Sequence, residues 1–255
     1  MIYLKSKKLL FIKPLKTAST SLEIAFACNA TEEDIVTPMS TNYELVRLEM
    51  GAQLPINYAL NKSAEKRYRA KIHALSKLHA IFPWIALETL EKCCRPFFKT
   101  RGKKAFFNHI KPAEIAANMG DQFLKDAFIV TMCRHPYEVL VSRVYWERWK
   151  KHRESEFDVS TAIDQMLIDK EPLNLDYYYY NDQFVPNFVI RYEHLAEDIA
   201  ELEKKFDLKL TEKMPFTKNK VRKSQESAAS VLNDRQKEIC YEKNKPIFEK
   251  FGYAR

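Results

Sequence analysis

A lysine and a group of hydroxyl side chains stand together in one polar turn, between an apolar run and the start of a helical pattern. The turn reads Lys16-Thr17-Ala18-Ser19-Thr20-Ser21. A lysine, hydroxyl groups and the N–H groups at a helix start suit an anion such as a phosphate. An ordinary capped helix beside a solvated lysine would use the same residues, so the turn alone leaves both interpretations open.

A second polar junction, Arg134-His135-Pro136, follows a nearly continuous apolar run. It opens another helical pattern, and Ser142 lies eight residues after Arg134 within that pattern. An arginine at a strand end can make a forked contact to a phosphate, and a serine can add a hydroxyl. The alternative is an ordinary ion pair between Arg134 and a nearby carboxylate such as Glu138.

The common nucleotide-binding loop between a strand and a helix is the Walker A loop. Its G-x-x-x-x-G-K-[ST] pattern is missing from this chain, and no glycine occurs before Gly51. The sequence therefore argues against an ATP- or GTP-dependent P-loop enzyme. Any phosphate bound at the first junction has to be held by residues that carry a Cβ atom.

Alternating apolar runs and helical patterns carry the two junctions. Strands are predicted at 8–12, 105–108, 128–133 and 188–191. One helix is predicted to end near Cys28 and another to start near Pro112. Further helices are predicted at about 62–82, 84–94, 137–151, 196–206 and 234–251. The stretch 31–60 is predicted to be mostly irregular. This alternation predicts an α/β fold, in which one domain, 1–255, has a central parallel β-sheet flanked by helices. Ligands of such sheets bind beyond the carboxyl ends of the strands, where both junctions lie.

The two junctions together resemble those of one enzyme family. The turn at 16–21 resembles the 5′-phosphosulfate loop of sulfotransferases that use 3′-phosphoadenosine 5′-phosphosulfate (PAPS), most closely the KTASTS-type loop of carbohydrate O-sulfotransferases. Arg134-His135-Pro136 with Ser142 resembles the family's 3′-phosphate motif, and its separation of 118 residues from Lys16 also fits. Weaker similarities lie at 191–195 and in the basic loop at 220–224.

The resemblance implies a P-loop-like sulfotransferase fold and transfer of a sulfuryl group from PAPS to an acceptor hydroxyl, leaving 3′-phosphoadenosine 5′-phosphate (PAP), without a metal. Lys16 would neutralise charge on the leaving 5′-phosphate, by analogy with phosphoryl transfer. The residues implied to bind the donor are Lys16, Thr17, Ala18, Ser19, Thr20, Ser21, Arg134, Ser142, Arg222 and Lys223.

Such a transfer needs a base for the proton of the acceptor hydroxyl, and histidine has a suitable pKa. His109 is the best of the six histidines, because it follows the predicted strand at 105–108 and should lie at the same sheet edge as Lys16. The related carbohydrate enzymes carry a histidine in a comparable place. The alternative for His109 is a structural histidine at a strand end.

The excess positive charge of the chain is confined to one segment. Residues 60–104 carry twelve Lys/Arg and three Glu, within a whole-chain net charge of +8. We expect this segment to be a mainly helical insertion, either a platform for an acceptor such as an anionic glycan or an ordinary solvated helix face. Two other functions remain open: a nucleic-acid-binding protein that uses the helices of 62–104, and a catalytically inactive nucleotide-binding relative. Under the preferred interpretation no nucleic acid is bound.

The remaining composition points to a cytoplasmic chain without a transmembrane segment. No run approaches the ~18 apolar residues that span a bilayer, and the apolar run at 9–12 is too short for a secretory signal. The five cysteines lack the paired spacing of a zinc site, so we expect reduced thiols and no metal.

Overall fold

The strands of the protein form one larger sheet and one small hairpin. The computed structural model describes residues 1–94, 104–151, 158–169, 173–215 and 227–255. Its strands are β1 (Ile2–Leu4), β2 (Leu9–Phe11), β3 (Ile35–Val36), β4 (Phe128–Cys133), β5 (Tyr179–Tyr180), β6 (Gln183–Phe184) and β7 (Phe188–Arg191). Strands β5 and β6 form the hairpin, and the other strands form a five-stranded sheet in the order β3-β1-β2-β4-β7.

The sheet is mixed. Strands β2, β4 and β7 are parallel, whereas β1 is antiparallel to both of its neighbours, β2 and β3. The predicted α/β class is confirmed, but the predicted parallel sheet is found only in β2, β4 and β7, because the tight turn at Lys5–Lys7 returns the chain directly from β1 into β2. Since β1 is antiparallel to both neighbours, β3 runs in the same direction as β2. The carboxyl ends of β3, β2, β4 and β7 therefore share one edge, which we call the carboxyl edge.

Helices connect and cover these strands. They are α1 (Ser19–Cys28), α2 (Thr41–Glu49), α3 (Lys62–Ile81), α4 (Leu87–Cys94), α5 (Pro112–Met119), α6 (Asp121–Asp126), α7 (Pro136–Lys151), α8 (Val159–Asp169), α9 (Leu175–Tyr178), α10 (Leu195–Phe206), α11 (Ala228–Val231) and α12 (Asp234–Phe251). Among the helices in the described ranges, none combines the length and the apolar character that a membrane crossing requires.

Both faces of the sheet are buried, because helices pack on each of them. Side chains that alternate along β2 enter different apolar clusters: Leu9 and Phe11 pack with residues of α1 and α10, and Leu10 packs with residues of α5 and α6. A strand buried on both faces reads as a continuous apolar run, which is why β2 and β4 were predictable from local sequence. A third cluster joins α7, α8 and α12 beside the sheet.

Two segments differ from the sequence prediction. The stretch 31–60, predicted as mostly irregular, contains β3 and α2. The predicted strand at 105–108 is wrong: Lys104 makes an isolated bridge to Ala59, and the N–H groups of Ala105 and Phe106 both donate to the carbonyl oxygen of Tyr58. The described part of the basic segment is helical, as expected, with Leu75 of α3 packed on Leu90 of α4.

Candidate functional site

The polar turn at 16–21 is a strained loop that leads from β2 into α1. Lys16 and Ala18 have φ angles of 62° and 63°, in the left-handed region, and Ala18 is the N-cap of α1. A residue with a Cβ atom in this region costs roughly 1 kcal/mol. Thr17, between them, is fully buried, and its hydroxyl has no hydrogen-bond partner among the described residues. The Ser19 hydroxyl donates to the carbonyl oxygen of Pro14 at 3.1 Å, which closes the loop on itself.

Asn174 holds the start of this loop. Its Oδ1 accepts from the N–H of Leu15 at 2.9 Å, and its Nδ2 donates to the carbonyl oxygen of Leu15 at 2.8 Å. Asn174 itself is buried and has a φ angle of 63°. The next helix, α9, adds two bonds of the same kind: the Tyr177 hydroxyl donates to the carbonyl oxygen of His109 and the Tyr178 hydroxyl to that of Met132. One segment thus fixes three pieces of backbone near the carboxyl edge.

Arg134 begins the second junction, directly after β4. Its Nη2 donates to Glu138 Oε2 at 2.9 Å, so the ion pair considered as an alternative is present. Its guanidinium also lies 4.4 Å from the ring centroid of Tyr192, and its buried Nε has no partner among the described residues. Glu138 uses its other oxygen to accept from the N–H of Ala228 at 2.8 Å. Arg134 therefore keeps one donor that the surrounding protein does not satisfy.

The two junctions meet because β2 and β4 are neighbours in the sheet. Burial, and next the charge of Arg134, lower the pKa of Lys16 to about 8. The Lys16 ammonium lies 4.5 Å from the ring centroid of Trp146 on α7, and it forms no ion pair with any described residue. Two cations are thus held close enough to destabilise one another, which is the arrangement expected of an anion site.

The backbone of the second junction is also held by the segment that follows β7. The N–H of His135 donates to Glu193 Oε1 at 2.9 Å, and the Tyr253 hydroxyl donates to Glu193 Oε2 at 3.0 Å. Glu193 belongs to the 191–195 segment that follows β7. Ser142 lies half-buried on α7, one turn beyond Glu138. Arg222 and Lys223, the remaining residues predicted to bind the donor, lie outside the described residues.

His109 lies next to the first loop. Its Nδ1 is 3.0 Å from the carbonyl oxygen of Lys13, which can only accept, so Nδ1 carries the proton and Nε2 keeps its lone pair. Burial, and next the charge of Lys13, lower the pKa of His109 to about 4, so the ring is neutral at pH 7. Its φ angle is 59°. The side chain is therefore held as a single tautomer by Lys13, which lies three residues before Lys16 in the chain.

The left-handed backbone is concentrated at these positions. Of the described non-glycine residues with positive φ, five are Asn or Asp, which adopt this conformation readily. The others are Lys8, Lys16, Ala18 and His109. Lys8 lies in the tight turn between β1 and β2, so the remaining three all belong to the predicted site. Strain of this kind persists where the surrounding structure enforces it, and it clusters at functional sites.

A buried ion cluster supports the loop from behind. Glu23 of α1 pairs with Lys13 at 2.6 Å and with Arg47 of α2 at 3.5 Å, and Arg47 pairs with Glu44 at 3.3 Å. These side chains are at most 3% exposed. The positive charges of Lys13 and Arg47 hold the pKa of Glu23 well below its usual range despite its burial. Lys13 is thereby committed to Glu23, which leaves Lys16 as the lysine available to a ligand.

A cavity of about 510 Å³ is lined in part by Phe107 and Asn108, the two residues that precede His109. It lies where the loop after β3 meets α3, α4 and the 104–108 segment, and β3 ends at the carboxyl edge. Its lining combines apolar groups with hydroxyl, amide and charged groups: Pro38, Met39, Ser40, Thr41, Tyr68, Lys71, Glu91, Lys104, Phe107 and Asn108. The Oδ1 of Asn108, the neighbour of His109, is buried without a partner among the described residues. The cavity thus presents an unsatisfied acceptor beside the candidate base.

Sequence reasoning missed three residues of this site. Trp146 follows Arg134, Glu138 and Ser142 at steps of four, so helical periodicity could have placed it on the same stripe of α7. Tyr192 follows a predicted strand end and was also accessible to such reasoning. Asn174 had no local signal, since its contact to Leu15 spans 159 residues.

Taken together, the fold and the site define an α/β protein with two basic junctions after adjacent parallel strands. No protein-family model matches the chain, and neither a curated protein nor a solved structure is significantly similar to it. Within the described ranges, His, Cys, Asp and Glu side chains do not gather into a group that could hold a metal ion.

Proposed function

We propose that this protein is a PAPS-dependent sulfotransferase with a P-loop-like sulfotransferase fold, which transfers a sulfuryl group to the hydroxyl of an acceptor such as a glycan. The observation that carries the proposal is the Lys16 ammonium, which lacks a counter-ion among the described residues and lies beside Arg134. Both cations follow neighbouring parallel strands, where ligands of α/β sheets bind.

The residues present fit a nucleotide with two separate phosphate groups. A phosphate at the first loop would provide the charge that Lys16 lacks and an acceptor for the unpartnered Thr17 hydroxyl. A phosphate at the second junction would accept from the unsatisfied Nε of Arg134. Thr17 to Ser21 would hold the 5′-phosphate, and Arg134 and Ser142, with Arg222 and Lys223, would hold the 3′-phosphate.

The chemistry then divides between the donor and the protein. PAPS, when bound, supplies a sulfuryl group on an activated phosphate. Lys16 would neutralise the negative charge that grows on the leaving phosphate, and the strained loop keeps that ammonium in place before the donor arrives. His109 would accept the hydroxyl proton at Nε2, because the carbonyl oxygen of Lys13 holds the proton on Nδ1. With a pKa of about 4, the ring is in its basic form throughout the neutral range.

The cavity supports the assignment of an acceptor site. Along the carboxyl edge the order is Arg134 after β4, Lys16 after β2, and the cavity loop after β3, with His109 held to Lys13 at the end of β2. An acceptor in the cavity would therefore lie on the side of Lys16 away from Arg134 along this edge. Met39 and Phe107 offer apolar surface for a ring, and Ser40, Thr41 and Asn108 offer hydrogen bonds to hydroxyls.

Ligand binding tests the donor site most directly. PAP should stabilise the protein against heat far more than AMP or ATP, because only PAP carries a 3′-phosphate. Arg134→Ala should weaken PAP binding by about 2–3 kcal/mol, the usual value of a charge-assisted hydrogen bond, in calorimetry. Arg191→Ala is the matched control, since Arg191 ends the adjacent strand β7 and is likewise paired with a carboxylate, Asp198. Equal affinity for PAP and AMP would contradict the proposal.

The same experiment separates the two alternative functions. A catalytically inactive relative would bind PAP with the same dependence on Arg134 but would transfer no ³⁵S from labelled PAPS to any acceptor in a panel of glycans and small hydroxylated compounds. A nucleic-acid-binding protein would show no preference for PAP, and its affinity for RNA or DNA would fall steeply with salt. Either result would replace the proposed activity with a binding function.

A further inference from the structure

The turn between α3 and α4 exposes an unusual concentration of large apolar side chains. Ile81 is 61% exposed, Phe82 36% and Trp84 75%. They are three of the seven large apolar residues that are exposed in the described part of the chain, yet they lie within four positions. The rings of Phe82 and Trp84 pack edge to face, 5.8 Å apart, so the side chains form one patch. We call Ile81, Phe82 and Trp84 the apolar tip.

A row of basic residues on α3 leads to this tip. Lys66, Arg69, His73 and Lys77 recur at steps of three and four, and Ile81 continues the row at the next step. Lys66, His73 and Lys77 are exposed, and none of the four forms an ion pair with a described residue. We call these four residues the basic stripe. The Glu65 and Glu91 carboxylates of the hairpin pair with Lys62 and Lys71, so they do not neutralise it.

We propose that the apolar tip and the basic stripe form a docking surface for an anionic lipid bilayer. Tryptophan and aliphatic side chains at the extremity of a hairpin suit the boundary between acyl chains and headgroups. Lys77 lies about 6 Å behind Ile81 along the helix axis, and His73 about 12 Å, from the rise of 1.5 Å per residue. This spacing places cations at the level of lipid phosphates when the tip enters the interface.

The arrangement favours a lipid surface over the other polyanions. In a nucleic-acid site, cations lie alongside the aromatic rings, so that bases stack while phosphates are neutralised. Here the apolar groups occupy the extremity alone and the cations lie behind them. This docking surface does not depend on the proposed activity, because it contains none of the residues assigned to the donor.

Sedimentation with vesicles tests the proposal. The full chain should bind vesicles of phosphatidylcholine with about 30% phosphatidylserine, should not bind phosphatidylcholine alone, and should dissociate as salt is raised. Trp84→Ala should weaken this binding about tenfold. Lys77→Ala should weaken it about fivefold. Lys66→Ala, about 22 Å from Ile81 along the helix axis, should have a smaller effect. The Tm of the same variants should remain unchanged, which shows that they are folded.

Two matched controls make the result specific. Ile168→Ser removes a side chain on α8 that is 71% exposed, and Lys204→Ala removes an exposed lysine on α10; neither should change vesicle binding. Vesicle binding that survives the combination of Trp84→Ala and Ile81→Ser would overturn the proposal. An absence of binding to the anionic vesicles at low salt would also overturn it. The same holds if those variants lose self-association or RNA binding while they keep lipid binding.

Discussion

Lys16 illustrates how a single side chain can be prepared for an anion. Burial of its ammonium, and next the positive charge of Arg134, lower its pKa to about 8. The ammonium also faces the ring of Trp146. The protein gains no stability from a lysine in these surroundings, because the fold disfavours the protonated form of the amine. A bound phosphate would reverse the penalty, because an adjacent negative charge favours the protonated amine.

The affinity for PAP should therefore depend on pH above neutrality. Below pH 7 Lys16 is protonated in the free protein, so its contribution is complete. As pH rises through about 8 the free protein loses that proton, and affinity should fall by up to tenfold per further pH unit. Calorimetry from pH 7 to 9.5 measures the affinity for PAP at each pH. At pH 8 the protein should take up about half a proton for each PAP molecule bound. Lys16→Arg keeps its charge throughout and should give a flat profile; an equal fall in that variant would assign the pH dependence to another group.

Ala18 contributes strain rather than contacts. It is exposed, and its φ angle of 63° is one that glycine adopts without penalty. Ala18→Gly should therefore raise the free energy of unfolding by about 0.5–1 kcal/mol and the Tm by about 2 °C. Ala70→Gly, in the exposed middle of α3, is the control and should lower stability by about 1 kcal/mol. If both changes destabilise the protein equally in thermal unfolding, Ala18 has an ordinary backbone conformation in solution.

At the scale of elements, the site depends on a segment far from both junctions in sequence. Asn174 and the two tyrosines of α9 bind the backbone of Leu15, His109 and Met132. These carbonyl and N–H groups belong to the loop after β2, the candidate base and the end of β4. The short helix α9 therefore couples the position of the base to that of the donor loop.

Removal of the Asn174 amide should loosen the first loop. Asn174→Gly deletes both bonds to Leu15 while accommodating the positive φ angle, and it should cost about 2–3 kcal/mol of stability. It should also weaken PAP binding severalfold and increase hydrogen exchange at the Leu15 amide. Asn187→Ala is the matched control, because Asn187 accepts from the N–H of Ile129 near the opposite end of β4. Asn187→Ala should reduce stability but leave PAP affinity unchanged. If PAP affinity is also unchanged in Asn174→Gly, the loop is held by other contacts.

The elements differ in how far local sequence predicts them. The helix α1 and the strand β4 were predictable, because a polar turn and a continuous apolar run are local signals. The strands β1 and β3 were missed because they are three and two residues long and exist through pairing with each other. The stretch 105–108 has apolar residues that favour a strand. It does not pair as one, because its N–H groups at Ala105 and Phe106 both donate to the same carbonyl oxygen, that of Tyr58.

At the scale of the whole molecule, the order of strands determines which groups can meet. Because β1 is inserted antiparallel between β3 and β2, β3 ends at the same edge as β2 and β4. The cavity loop therefore leaves the sheet at the same edge as the two basic junctions. Sequence could predict that Lys16 and Arg134 share an edge, because both follow strands of parallel type. It could not predict the cavity, since this depends on α2 and β3, which lack a strong local pattern.

This order implies that donor and acceptor functions can be removed separately. Ser40 is exposed at the mouth of the cavity, so Ser40→Trp should fill it without disturbing the fold. Transfer of ³⁵S from PAPS to any accepted glycan should then fall at least tenfold while PAP affinity stays constant. Arg134→Ala should weaken PAP binding, and His109→Ala should lower the turnover number about 10²–10⁴-fold with PAP affinity unchanged.

The control for bulk is Ser63→Trp, at an exposed position near the start of α3 and outside the cavity lining, which should alter neither measurement. If Ser40→Trp instead displaces PAP, the cavity and the donor junctions form one continuous site, and the acceptor must enter elsewhere. If it changes neither transfer nor PAP binding, the acceptor lies outside the cavity, and His109 would have to receive the proton from a molecule bound on its other side. Only the separation of the two effects agrees with an edge on which donor and acceptor approach Lys16 from opposite directions.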